Sequence, residues 1–255
     1  MGNLAGKTAL VTGSSRGIGR AIAVRLGRDG ALVAVHFGEN EAAAKETVEL
    51  IESDGGKAFA VQAVLGIPGD AHELIQAFQN GAKERTGESG LDILVNNAGA
   101  TTLGTPPEEI TPEEFDRVFA VNARAPFFIV QRALPLFRTG GRIINISSGL
   151  TRFANPDQVA YAMTKGAIEQ LSLHFARHLA PRGITVNSVA PGITRNGQPV
   201  FDIPEAVEQM AQLSAFKQVG EAEDVASVVA FLASDDARWI TGAFLDATGG
   251  TLLGG

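Results

Sequence analysis

Thr8-Ala9-Leu10-Val11-Thr12-Gly13-Ser14-Ser15-Arg16-Gly17-Ile18-Gly19 reads as a short buried strand that breaks into a glycine-rich turn. Thr8 to Val11 has the apolar character and length of a core strand. Gly17 to Arg28 follows with Ile18, Ala21, Ile22, Arg25 and Leu26 at helical spacing. A helix that starts there presents free N–H groups and a partial positive charge, which suits a pyrophosphate. The glycines let backbone and phosphate come close. The spacing is G-x-x-x-G-x-G rather than the general G-x-G-x-x-G, and such a turn standing alone is often only a tight turn.

The rest of the chain repeats the same alternation. Strands are predicted at 31–37, 57–64, 91–95, 142–146, 184–189 and 243–247. Helices are predicted at 41–53, 70–85, 158–179 and 221–233. Another helix opens at Thr111, with Pro112 in its first turn and Glu114 three residues on, a capping-box pattern. It is expected to run past Asn122 toward Phe137, with Pro126 and Pro135 placed to kink it. Alternating strands and helices imply one parallel sheet with helices on both faces. Such sheets bind ligands at the carboxyl ends of their strands. Neither a linker nor a repeat interrupts 1–255, which reads as a single domain. The irregular stretch 192–215, with one short helix, reads as a lid over a substrate.

Composition narrows the function. The 255 residues are 45% hydrophobic and 19% charged, a globular balance. There is no cysteine, so a disulfide framework, a thiolate nucleophile and a cysteine metal site are all excluded. The formal charge of −7 offers no general attraction to nucleic acid phosphates. No apolar run approaches the ~20 residues that span a bilayer. The opening MGNLAGKTALVTG lacks the basic stretch and apolar core of a signal peptide, so a cytoplasmic protein without membrane or nucleic-acid partners is expected. His174 and His178 share an i,i+4 spacing, but no H-E-x-x-H pattern accompanies them and no metal is expected.

Further motifs stand in order at the strand ends: Asn96-Asn97-Ala98-Gly99, then Asn122, Ile146-Ser147-Ser148, Tyr161-Ala162-Met163-Thr164-Lys165 and Pro191-Gly192. Together with the glycine turn they resemble the short-chain dehydrogenase/reductase family over nearly the whole chain, and within it the 3-oxoacyl-acyl-carrier-protein reductase-like ketoreductases. The resemblance implies an α/β fold: a single Rossmann-like domain with a doubly wound parallel sheet of about seven strands. It implies a nicotinamide dinucleotide held by Gly13, Ser15, Arg16, Gly17, Ile18 and Gly19. His36, Asn96, Ala98 and Gly99 would serve the same ligand, as would Tyr161, Lys165, Pro191, Gly192, Ile193 and Thr194. The second strand ends Val35-His36-Phe37-Gly38, with no carboxylate to bond a ribose 2′-hydroxyl and repel a 2′-phosphate. Arg16 can reach such a phosphate in similar proteins. NADP(H) is therefore favoured, with NAD(H) left open should a shifted register bring Glu39 to the ribose. Two departures from the family pattern are Ala63-Val64 where an Asp usually meets adenine, and Thr248 before Gly249-Gly250.

The implied catalytic set is Asn122, Ser148, Tyr161 and Lys165. Tyr161 and Lys165 are four residues apart, on one helix face. A phenol is a poor base at neutral pH, and a nearby ammonium is expected to lower its pKa. The tuned phenol would give or take a proton while hydride moves. Ser148 would hold the substrate oxygen, and Ser147, its neighbour on a strand, would face the other way. Asn122 would hold a water that relays protons to Lys165. The expected activity is an NADP(H)-dependent hydride transfer between nicotinamide and a ketone or secondary alcohol, extending to 3-oxoacyl thioesters or polyketide-type substrates. The competing reading is a non-catalytic dinucleotide-binding sensor of the same fold.

The pocket is expected among residues 149–155, the lid and residues near Ala100 to Leu103, with Leu150, Phe153, Val200, Phe201 and Ile203 giving it an apolar lining. A carrier-protein-bound substrate would need a basic docking patch, for which Arg132, Arg138 and Arg142 are the candidates. Ile168, Leu171, Phe175 and Leu179 share a second apolar face of the Tyr161 helix, which favours a homo-oligomer, dimer or homotetramer.

Overall fold

Seven strands lie side by side in the order β3-β2-β1-β4-β5-β6-β7, and every neighbouring pair is parallel. They are β1 (Thr8–Val11), β2 (Leu32–Phe37), β3 (Lys57–Gln62), β4 (Leu91–Asn96), β5 (Phe137–Ile146), β6 (Thr185–Pro191) and β7 (Phe244–Ala247). The computed structural model describes residues 4–102 and 104–253. Leu103, expected near the pocket, lies outside the described residues.

Among the described residues, eight α-helices accompany the sheet: α1 (Gly17–Arg28), α2 (Glu41–Ser53), α3 (Asp70–Thr86), α4 (Pro112–Phe119), α5 (Ala125–Ala133), α6 (Val159–Leu179), α7 (Pro204–Ala211) and α8 (Ala222–Ala233). Strand side chains alternate between the two faces, and the core divides accordingly. Ala9, Val11, Val33 and Val35 pack against Ile22 and Leu26 of α1, Ile51 of α2 and Val229 of α8. Leu10, Leu32 and Ala34 face the opposite layer, with Leu74 and Phe78 of α3, Ile129 of α5 and Leu179 of α6. This is the doubly wound Rossmann-like sheet expected from the alternation. The chain leaves β1 toward β2 and β3, then returns to the other side of β1 for β4. The crevice between the carboxyl ends of β1 and β4 is therefore the switch point, where such sheets bind ligands.

Two boundaries differ from expectation. The helix opened by Thr111 has its capping box, but it does not run continuously to Phe137. It ends at Phe119, passes through a π-turn at Ala120–Arg124, and resumes as α5, which stops at Ala133. Pro126 has no N–H to return to the carbonyl of Asn122, so regular α-helix fails at that point. The fifth strand starts at Phe137, not Arg142. Leu91 pairs with Phe137 and Ile93 with Arg142, and the intervening residues bulge out at Gly140, whose φ is +79°. The glycines that concealed this strand are what permit its bulge.

Candidate active site

The turns after β1 and β4 are stitched into one unit. The Thr12 hydroxyl accepts from the Asn97 and Ala98 N–H groups at 2.9 and 3.0 Å. The Asn97 amide donates to the carbonyls of Thr12 and Gly13 at 2.9 and 3.1 Å. A side chain on Gly19 would lie 2.2 Å from the Gly13 carbonyl oxygen, and one on Gly13 would lie 2.8 Å from Ala98 Cα, so neither position has room for one. Arg16, at the N-cap of α1, makes no side-chain cap bond, and the first turn carries no acid. A tight backbone cradle facing a free, positive helix end fits a dinucleotide pyrophosphate. Ser15 lends its carbonyl to Arg20 and Thr47, and Ile18 packs against the core.

At the β2 tip the His36 ring points inward. Its Nδ1 accepts from Gly13 N–H at 2.8 Å and its Nε2 faces the Ala63 carbonyl at 2.9 Å. Phe37 is buried, Glu39 is exposed beyond the strand, and Arg16 is exposed on the turn. No carboxylate stands at the strand end. Asn96 differs from its expected ribose-side place, since its amide donates to Asn145 Oδ1 at 2.8 Å inside the sheet. Asn145 in turn donates to Ser172. The neighbour Asn97 does the work at the crevice.

β5 delivers the two serines to opposite faces. Ser148 lies beside the Tyr161 phenol, and its Oγ accepts from Leu150 N–H at 3.2 Å. Ser147 is buried and donates to Glu169 Oε1 at 2.7 Å. Lys165 lies one turn along α6 from Tyr161, with Nζ 5.5 Å from the phenol ring centroid and 2.9 Å from the Ile146 carbonyl oxygen. Burial lowers its pKa to about 8. Burial also drives the Tyr161 phenol up to about 12, with the Ser148 hydroxyl pulling weakly the other way. The expected lowering is absent because Lys165 is itself desolvated and its ammonium is turned to the Ile146 carbonyl.

Asn122, buried in the π-turn, clamps Ala100: Oδ1 accepts from its N–H at 2.7 Å and Nδ2 donates to its carbonyl at 2.8 Å. Nδ2 also donates to Thr164 Oγ1 at 3.0 Å, which ties the clamp to α6. A side chain on Gly99 would stand 3.5 Å from Asn122 Oδ1 and 3.7 Å from Lys165 Nζ, so that glycine keeps the approach to the lysine open. The Asn122 side chain is thus spent on shaping the loop. Thr12, Asn97, Thr164 and Glu169 were not singled out from sequence. The signal for Thr12 and Asn97 was a hydrogen-bonding side chain at each of two adjacent strand ends.

On the far side, Gly192 sits against Thr248, where a side chain would meet backbone at 2.7 Å. Pro191 ends β6, Ile193 accepts from Gly220 N–H, and Thr194 is buried with its hydroxyl on the Gly192 carbonyl. The stretch 192–215, expected as a lid, holds a 3₁₀ turn at Pro199–Asp202 and then α7, and Arg195 bonds the Phe201 carbonyl and pairs with Glu221. Phe153, Val200 and Ile203 are exposed beside the crevice. Met163, between Tyr161 and Lys165 on α6, is 51% exposed. Of the candidate docking arginines, Arg132 is exposed and the other two are engaged within the chain. Arg142 is buried among carbonyls and paired with Asp235, and Arg138 is paired with Asp92 and Glu88.

A family model described as enoyl-(acyl carrier protein) reductase matches residues 13–251. The solved structure of LugOII is similar at 69% identity with a TM-score of 0.97, covering 98% of this chain and 99% of that one; LugOII is described as a promiscuous reductase that catalyses keto-reduction at C1 during lugdunomycin biosynthesis. The angucycline C-6 ketoreductase LanV with bound NADP is 65% identical with a TM-score of 0.97, covering 99% and 98%. LanV with NADP and rabelomycin is 64% identical with a TM-score of 0.94, covering 99% of each chain. Among curated relatives, versicolorin reductase stcU of Emericella nidulans is 40% identical, covering 97% of this chain and 96% of its own.

Proposed function

The chain belongs to the short-chain dehydrogenase/reductase family, and from that premise we propose that it is an NADP(H)-dependent ketoreductase acting on a polycyclic aromatic polyketide ketone. The observation that carries this is the Ser148–Tyr161–Lys165 constellation beside a glycine cradle, in a chain close to reductases of such ketones. NADPH, when bound, supplies the hydride that adds to the carbonyl carbon. Ser148 positions the carbonyl oxygen, and Tyr161 gives that oxygen its phenolic proton. Lys165, anchored by one N–H to the Ile146 carbonyl, would hold the nicotinamide ribose with its other N–H groups, and Asn122 keeps the 98–100 loop in shape. The exposed apolar side chains of Phe153, Val200 and Ile203 favour a flat apolar substrate. A carrier-protein-bound thioester has less support, because two of the three arginines that would dock it, Arg138 and Arg142, are internally paired. Turnover of NADPH at 340 nm with a tetracyclic or tricyclic aromatic ketone tests the reading. Binding without turnover of any such ketone would favour the sensor instead.

Arg16 supports NADP over NAD as the exposed cation of a turn whose neighbouring strand end lacks an acid. Arg16→Ala is expected to raise the KM for NADPH about tenfold, the loss of one charge-assisted bond, and to leave that for NADH within about twofold. Equal loss with both cofactors would remove Arg16 from phosphate recognition.

A phenol held near 12 stays protonated through neutral pH. Ketone reduction should therefore be flat from about pH 6 to 8, while alcohol oxidation, which needs the phenolate, should climb with pH. A reduction rate that rises with pH would assign the proton to another group.

The chain is further proposed to be one domain in a cytoplasmic homotetramer. No helix among the described residues is long and apolar enough to cross a membrane. Trp239 is 97% exposed, and Leu173 and Phe231 are also exposed, side chains that a second copy would cover; the α6 face expected to pair copies, Ile168, Leu171, Phe175 and Leu179, is instead packed within this chain's own core.

A further inference from the structure

We propose that His36 is a positioning residue of the cofactor site, a neutral latch that fixes the glycine turn against the ends of β2 and β3. This rests on the dinucleotide reading of that site. Gly13 N–H can only donate, so Nδ1 must be the bare nitrogen of the ring. The proton then sits on Nε2, which faces a carbonyl that can only accept. One tautomer satisfies both partners. The imidazolium, or the other tautomer, would set one N–H against another.

The ring is 2% exposed, so no water can replace a lost partner. The backbone doubles the join: His36 N–H donates to Ser14 Oγ at 3.0 Å and Ser14 N–H donates to the His36 carbonyl at 2.9 Å. Ser14 Oγ in turn donates to the Val11 carbonyl. The tip of β2, the turn after β1 and the residue after β3 thus move as one piece. Turning the Gly13 N–H inward sets the path of the turn and aims the free N–H groups at the start of α1 toward the crevice. His36 touches none of Ser148, Tyr161 or Lys165. Its loss should weaken cofactor binding and spare the chemical step.

Two substitutions separate the latch from mere packing. His36→Phe keeps the ring's bulk and loses both bonds. His36→Asn loses bulk but keeps an acceptor at the distance of Nδ1. By fluorescence titration, Phe is expected to raise the Kd for NADPH about tenfold and Asn by less than about threefold, the difference one buried hydrogen bond makes. Both should retain kcat within about twofold at saturating NADPH. The idea is overturned if Phe binds NADPH like the unsubstituted protein, if Asn is as weak as Phe, or if kcat falls while Kd stays. Should Phe fail to fold, ¹⁵N spectra of the cofactor-free protein decide. An unprotonated Nδ1 and a protonated Nε2 at neutral pH support the latch, and a charged ring or the reverse tautomer overturns it. If the unsubstituted protein does not bind NADPH at all, the dinucleotide reading fails, while the ring spectra still judge the tautomer.

Discussion

Tyr161→Phe is expected to lower kcat for ketone reduction by about a thousandfold, the middle of the range for a lost general acid. The Kd for NADPH should move by less than about threefold, since only a hydroxyl is removed and the ring remains. Tyr161 is the single tyrosine of the chain, so no second phenol can take over. At neutral pH it carries its proton, because burial holds it near 12, and Ser148 stands beside it just past the end of β5. The nearest other acid is Lys165, but its Nζ is committed to the Ile146 carbonyl 2.9 Å away. Ser148 alone is far too weak an acid to protonate an alkoxide. Turnover at 340 nm, NADPH fluorescence and a thermal melt on the same preparation separate the cases. Retention of more than about a tenth of kcat would mean that water or Lys165 delivers the proton, and the general-acid role assigned to the phenol would fall.

The fold was legible because its period was. Short apolar runs such as Leu32–Phe37 and amphipathic helices such as Glu41–Ser53 announce their type within a few residues. Elements failed where glycine or proline acts through tertiary context. Arg138 to Gly141 hides the start of β5, since the strand survives only by bulging against Leu91–Ile93. The break at Ala120–Arg124 follows from Pro126, yet a kink, a π-turn and a helix end look alike in sequence. Site residues with a motif of their own, Tyr161 and Lys165, stood out by their i,i+4 spacing. Asn96 and Asn97 could not be told apart, because which amide faces the crevice depends on where β4 ends. His36 was visible as the residue at a strand tip, but the direction of its ring is a matter of what lies beneath, and that is Gly13 and Ala63. The pKa of Tyr161 is a related case. Spacing shows that a lysine is near, but not that burial outweighs it.

Lys165→Met should nearly abolish turnover, by about a hundredfold or more, and yet stabilise the cofactor-free protein at neutral pH. Burial lowers the Lys165 pKa from 10.5 to about 8. At pH 7 the ammonium is charged in both the folded and unfolded chain, and the folded chain bears the cost of desolvating it. Between about pH 8 and 10.5 the unfolded chain binds more protons than the folded one, so stability of the unsubstituted protein climbs through that window and levels above it. The difference of about 2.5 units corresponds to roughly 3 kcal/mol at neutral pH. Leaving the Ile146 carbonyl without its donor returns about 1–2 kcal/mol of that. A net gain of about 1–2 kcal/mol raises the melting temperature by about 3–6 °C in a chain of this size. The gain should shrink as pH rises from 8, vanish between about pH 9 and 10, and turn into a loss of about 1–2 kcal/mol above about 10.5, where the lysine is neutral in the fold and keeps its hydrogen bond. A melting temperature lowered at every pH would show that Lys165 is held by partners that outweigh its burial, and the assignment of a strained, functionally placed ammonium would be wrong. A raised melting temperature with full activity would instead separate the lysine from the chemistry altogether.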